Sequence, residues 1–259
     1  MTTFRPKLWT TLSAAVLLAA CGGEGEAGQA GAPTPGASVA AGGEGEGEGA
    51  AAPAANASAD LSGEAGETAA RGAYDTVPAD SRRALRIAHL KGFVLAAQAA
   101  APVQGEEAAA ALVGQGLLEV HTPAAAEFTA AGVSEEALRA AAQTGSARDL
   151  AAALANLNQA AVKAGGQPAA VVKAMTGIAA GLYGEVNKDG AIDPIEYQHA
   201  YGAALSARNT AAQGGLSAAA PELDRFVKLW PTPVAPEDVA KLTPAGQVLA
   251  QASRVELAL

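Results

Sequence analysis

Residues 168–200 read PAAVVKAMTGIAAGLYGEVNKDGAIDPIEYQHA. Pro168 stands where a first-turn proline belongs. From it Val171, Met175, Ile178, Leu182 and Val186 recur at three- and four-residue steps, with Val172, Ala179 and Tyr183 beside them, the spacing of one buried helix face. Asn187 to Gly190 supplies turn residues, and a second helix is expected from Pro194 to about Ala212. The stretch is a helical hairpin, and the apolar face of its first arm is the leading core candidate.

The same reading extends in both directions. From Val77 onward the chain is rich in alanine, poor in β-branched runs and punctuated by Gly and Pro, which predicts helix after helix and no strand. A first helix over about Asp80–Ala100 carries Ile87, Leu90, Val94 and Ala97 and is expected to stop at Pro102. A second, from about Gly105 to Val120, carries Leu112, Val113, Gly116 and Leu117. Short segments follow near Pro123–Ala131 and after Ser134. Ser146 and Asp149 have capping-box spacing before Leu150, Leu154, Leu157 and Ala161. Beyond the hairpin, Leu223, Phe226, Val227 and Trp230 mark one helix, and Val248, Leu249, Ala252 and Val255 a last one. Alanine at the contacts lets helices approach towards ~8 Å. Residues 77–259 are therefore expected to fold as an all-α, antiparallel helical bundle with accessory helices.

The region before the bundle differs in kind. Residues 22–70 are built of Gly, Ala, Glu and Pro, lack aromatic and basic residues, and hold 8 acids. Such a composition cannot form a core, and 21–76 is read as a disordered tether. Net charge for the chain is −9, but residues 71–259 carry 15 basic and 18 acidic residues, so the acidity belongs mostly to the tether. The folded part has no stripe of basic and aromatic residues. Nucleic acid is thereby excluded as a partner, lacking both its electrostatic and its stacking term.

Upstream, Arg5 and Lys7 precede an apolar run from Leu8 to Ala20, which ends at Cys21. This is the pattern of a secretory signal over 1–20, shorter than the ~20 residues of a spanning helix. Cys21 is the single cysteine, so it cannot serve an intramolecular disulfide. Leu18-Ala19-Ala20-Cys21 resembles the lipobox of bacterial lipoproteins. That resemblance implies cleavage before Cys21, lipid on its thiol and amine, and, with Gly22 following, sorting to the outer membrane. The partner it implies is membrane lipid through Cys21, together with an envelope protein.

One segment has the spacing of a ligand loop. Glu185, Asn187, Asp189, Ala191, Asp193 and Glu196 fall on positions one, three, five, seven, nine and twelve of an EF-hand loop, the pattern that wraps Ca2+ in oxygen ligands. Glutamate at position one departs from the motif, and a calcium site here is expected to be weak, on the order of 10⁻⁴ to 10⁻³ M. The same residues also read as a capped turn without metal: Gly190 in the turn, Asp193 as N-cap, Pro194 at N1 and Glu196 at N3. Both readings stand at this point. The three histidines, His89, His121 and His199, would form a transition-metal site only if the fold converged them. No Gly-x-Ser-x-Gly, His-Glu-x-x-His or phosphate-binding glycine loop occurs, so the chain is read as non-enzymatic.

Tyr183, Gly190, Ile192, Glu196, Tyr197, Gln198, Ala200 and Gly202 form a run that resembles a helical-hairpin signature of alanine-rich proteobacterial lipoproteins. Similar runs occur in helical periplasmic domains that accompany bacterial iron permeases. The resemblance to the lipoproteins extends loosely through Arg86-Ile87-Ala88-His89-Leu90 and Gly116-Leu117-Leu118-Glu119-Val120. It implies an accessory or binding role linked to metal uptake. A calcium-binding module and a helical scaffold docking a partner protein are the alternatives.

Overall fold

A computed structural model describes residues 72–188 and 190–259. Cys21, the signal segment 1–20, the tether up to residue 71 and Asp189 lie outside the described residues.

Beyond a helical segment at 72–76, nine α-helices occur among the described residues. They are α1 (Arg82–Gln104), α2 (Glu106–Gly116), α3 (Ala125–Ala131), α4 (Glu135–Thr144), α5 (Ala147–Ala164), α6 (Pro168–Glu185), α7 (Pro194–Gln213), α8 (Ala220–Val227) and α9 (Ala245–Leu257). The fold is all-α. Its caps follow the sequence: the Ser134 hydroxyl accepts from Ala137 N at 3.2 Å, and Ser146 from Asp149 N at 3.2 Å. Pro168 occupies the first turn of α6.

Helix α1 divides the interior. Its Leu85 and Ala88 join a core built from α6, α7, α8 and α9, whereas Ile87, Leu90, Phe93, Val94 and Ala97 join a second core with α2 to α5. The α6 face holds as read: Val171, Met175, Ile178, Leu182 and Val186 are all buried. Where α7 crosses α1, Gly202 meets Gly92 so closely that a Cβ on Gly202 would sit 2.4 Å from the Gly92 carbonyl oxygen. Nearby the Ser206 hydroxyl donates to the Ala88 carbonyl. Five aromatic residues gather at the other side of α7, where Trp230 meets Tyr183 and Phe226 edge-on at 5.1 and 5.3 Å. Tyr197 and Tyr183 donate to the carbonyls of Thr232 and Thr243 at 2.8 and 3.0 Å, which pins the Pro-rich crossing between α8 and α9.

Several expectations are corrected. Helix α1 continues to Gln104 with Pro102 inside its last turn, because a proline there removes a single ladder bond and Gly105, at φ +90°, makes the actual stop. Helix α2 ends at Gly116, and Leu117–His121 follow as a π-helical turn. The Phe93 ring packs against Gly116, where a Cβ would come within 2.8 Å. A short hairpin exists where no strand was expected: β1 (Asn187–Lys188) pairs antiparallel with β2 (Ala191–Ile192). Leu249, placed on the last apolar stripe, is 63% exposed, since α9 packs along Val248, Gln251, Ala252 and Val255. Residues 72–76 are helical and Tyr74 docks on α1, so packing begins before residue 77.

Candidate functional site

The polar groups of interest lie where the α6–α7 hairpin meets α1 and the π-helical turn. In the hairpin, Asn187 pairs with Ile192 and Lys188 with Ala191, and Asp193 N donates to Val186 O at 2.7 Å. Gly190 takes φ +79°, the left-handed conformation that such a tight turn requires. Lys188 and Ala191 thus close the hairpin next to the turn that holds Gly190.

Each candidate calcium ligand can then be placed. The Glu185 carboxylate pairs with the Lys188 ammonium. Asn187 and Ala191 are exposed on the hairpin. The Asp193 carboxylate accepts from Ile195 N at 2.9 Å and Glu196 N at 3.1 Å, the N-cap of α7. Among the described residues no group of three or more His, Cys, Asp or Glu side chains is arranged to hold a metal ion. These are the contacts of a capped helical hairpin; Asp189, at the fifth position of the loop, lies outside the described residues.

Glu196 is the unusual member. One of its carboxylate oxygens is buried without a hydrogen-bond partner. Burial, then repulsion from Asp193, Glu119 and Glu185, pushes its carboxyl up to about 7, against a smaller pull from Lys188. Glu119 comes from the π-helical turn, a contribution that helix spacing in the sequence gave no means of finding.

Two of the three histidines are brought near each other. His89 and His199 flank Phe93, with ring centroids 5.7 and 4.6 Å from it. The Tyr74 hydroxyl bonds His89 Nδ1 at 2.8 Å, and His199 Nε2 donates to Gln115 Oε1 at 3.1 Å. Beside this row Gln198 Nε2 donates to Gln104 Oε1 at 2.6 Å. Burial pushes both imidazoles down to about 4; the neighbouring His199 adds to the effect on His89, and Asp193 opposes it on His199. Both rings are neutral at pH 7 and serve as packing and hydrogen-bonding groups. His121 does not join them. It is buried and stacks on Phe128, centroids 5.0 Å apart, and burial lowers its pKa while Glu135 opposes the shift.

A last group was missed in the sequence. Lys91 is fully buried in α1, with its ammonium 3.3 Å from both Thr210 Oγ1 and Gln213 Oε1 in the last turn of α7. Burial lowers it to about 8. The signal was present: Lys91 lies four residues after Ile87 and three before Val94, on the stripe that packs inward.

The arrangement offers capped carboxylates, neutral imidazoles, one of them bonded to the Tyr74 hydroxyl, and an inward lysine. No family model matches the chain, and no curated protein or solved structure matches it.

Proposed function

We propose that this chain is a lipid-anchored protein of the cell envelope, held by lipid on Cys21 at the periplasmic face of the outer membrane, whose helical domain has a non-catalytic accessory or binding role. The observation that carries this reading is the position of the single cysteine, at the end of the apolar run Leu8–Ala20 and behind Arg5 and Lys7. Two or three acyl chains at ~0.8 kcal/mol per buried methylene hold a protein stably at a bilayer. Among the described residues no helix is long and apolar enough to cross a membrane, so the anchor assigned to Cys21 has no described counterpart in the domain. A link to metal uptake falls within the same accessory role: with no three-ligand group described, the domain would assist a partner's metal chemistry without holding the ion itself.

Expression of the full chain in a Gram-negative host with an alkyne-tagged palmitate tests the reading. Label should enter the protein and follow it into the membrane fraction, and Cys21→Ala should abolish both. An unlabelled wild-type chain, or a variant that keeps its label, would overturn it.

A further inference from the structure

We propose that residues 72–76 form a releasable clasp on the domain, held closed by the Tyr74 hydroxyl on His89 and opened by protonation of that imidazole. The segment has few other attachments. Gly72, Asp75 and Thr76 are exposed, and the Thr76 hydroxyl donates within the segment, to the Ala73 carbonyl at 3.0 Å. Ala73 and Tyr74 pack against the core. Tyr74 shares a hydrogen bond of 2.8 Å with His89 Nδ1, and its ring lies 6.1 Å from the imidazole and 5.0 Å from the Arg86 guanidinium. The chain behind the clasp is fixed independently of it. Val77 is buried, and the Ser81 hydroxyl accepts from Gln167 N at 2.9 Å at the start of α6, where Gly166 lies against the Ser81 backbone. Residues 72–76 can therefore lift about Thr76–Pro78 while α1 stays in place.

The trigger follows from what surrounds the imidazole. His89 lies between Tyr74 on the clasp and Phe93 on α1, and beyond Phe93 stands His199 of α7, bonded to Gln115 of α2. None of these groups is an anion. Of the charged groups nearby, Arg86 and Glu127 of α3 pair with each other at 3.2 Å, Asp75 is exposed on the clasp, and Asp193 acts on His199. A neutral ring can accept the Tyr74 proton at Nδ1. The imidazolium carries hydrogen there, so the hydroxyl, kept protonated by burial, has to turn round and accept. Burial, and then His199, lower His89 from 6.5 to about 4 in the closed clasp, so proton uptake opposes closure. An open clasp returns the ring to water and to its ordinary value. Opening is then favoured as pH falls from 6.5 towards 4, on the order of 50-fold between pH 7 and pH 4.5.

The proposal does not rest on the lipid anchor, so either can fail without the other. Its test takes the full chain carrying Cys21→Ser through an imidazole NMR titration and through amide exchange over residues 72–84, corrected for the intrinsic effect of pH. In the wild type His89 should titrate below about 5, and Tyr74→Ala should raise it by about one unit or more. Exchange in the segment should speed on the order of 50-fold from pH 7 to pH 4.5 while circular dichroism keeps the helical signal. In His89→Gln that pH effect should vanish. A wild-type His89 that titrates at about 5 or above, a smaller shift in Tyr74→Ala, exchange indifferent to pH, a pH effect retained in His89→Gln, or loss of helix over the same range overturns the proposal. Should either variant fail to fold by circular dichroism, the wild-type titration and exchange decide.

Discussion

Gly202 of α7 rests against the backbone of Gly92 in α1, and a methyl group on Gly202 would lie 2.4 Å from the Gly92 carbonyl oxygen and 3.1 Å from the Ala96 methyl. The obstacle is helix backbone, which cannot rotate aside as a flexible side chain could. Gly202→Ala should therefore destabilise the domain by about 1–3 kcal/mol, read as a thermal midpoint roughly 2–10 °C lower. Gly177→Ala is the control, since nothing lies within 4 Å of its Cβ position, and alanine there should stabilise by about 0.5–1 kcal/mol. Equal effects at the two sites would refute the close crossing.

The histidine row predicts an acid limb. His89 and His199 have folded-state pKa values near 4, below the ordinary 6.5, so the unfolded chain binds more protons between pH 4 and 6.5. Stability is full above 6.5 and is lost as pH falls towards 4. Chemical denaturation across this window should show His199→Gln with a slope shallower by up to one proton, about 1.4 kcal/mol per pH unit. An unchanged slope would mean that His199 is protonated in the fold.

Glu196 acts in the opposite sense. Its carboxyl is raised from 4.5 to about 7, so the folded chain binds the extra proton and this group's contribution falls as pH rises from 4.5 through 7. Glu196→Gln should match the wild type at pH 4.5 and melt about 2–4 °C higher at pH 8, the shift given by ~1 kcal/mol in a domain of this size. A variant less stable at pH 8 would show that the ionised carboxylate is instead held by a favourable partner.

Lys91 gives a third window. Its pKa is lowered from 10.5 to about 8, so the folded state resists the charge below pH 8 and this penalty fades between 8 and 10.5. Lys91→Met should be more stable at pH 7 by up to ~3 kcal/mol, with the gap closing near pH 10.5. A constant gap at the two pH values would count against a buried ammonium.

The hairpin contacts predict a weak response to calcium. Asp193 already caps α7 and Glu185 already pairs with Lys188, so an ion would have to break both. Addition of ~5 mM calcium, above the weak-site range, should move the thermal midpoint by less than about 1 °C. A rise of several degrees would restore the calcium-loop reading.

What the sequence disclosed was local. Pro168, Ser134, Ser146 and Asp193 each act within one turn of where they stand, and the α6 face repeats often enough to survive any tertiary arrangement. Relationships between distant elements were not legible: the docking of Tyr74 on His89, the placing of Glu119 beside Glu196 by a π-helical turn, and the neutral pair around Lys91. Leu249 shows the limit of periodicity. Its position on the helix is one step from Val248, and only the presence of partners on one side of α9 decides which of the two is covered.

Helix α1 belongs to both cores, and this sets an order of assembly. During synthesis from the N-terminus it emerges ahead of α2 to α5, so one flank can be covered from neighbouring sequence. The other waits for α6 and α7, which begin at Pro168 and Pro194, long after α1 ends at Gln104. Until then the surface of Leu85, Ala88 and Gly92 is open, and a chaperone or a second chain can occupy it. The step that closes the domain is thus the return of the hairpin onto α1, and lesions at Gly92 or Gly202 should lower yield as well as stability.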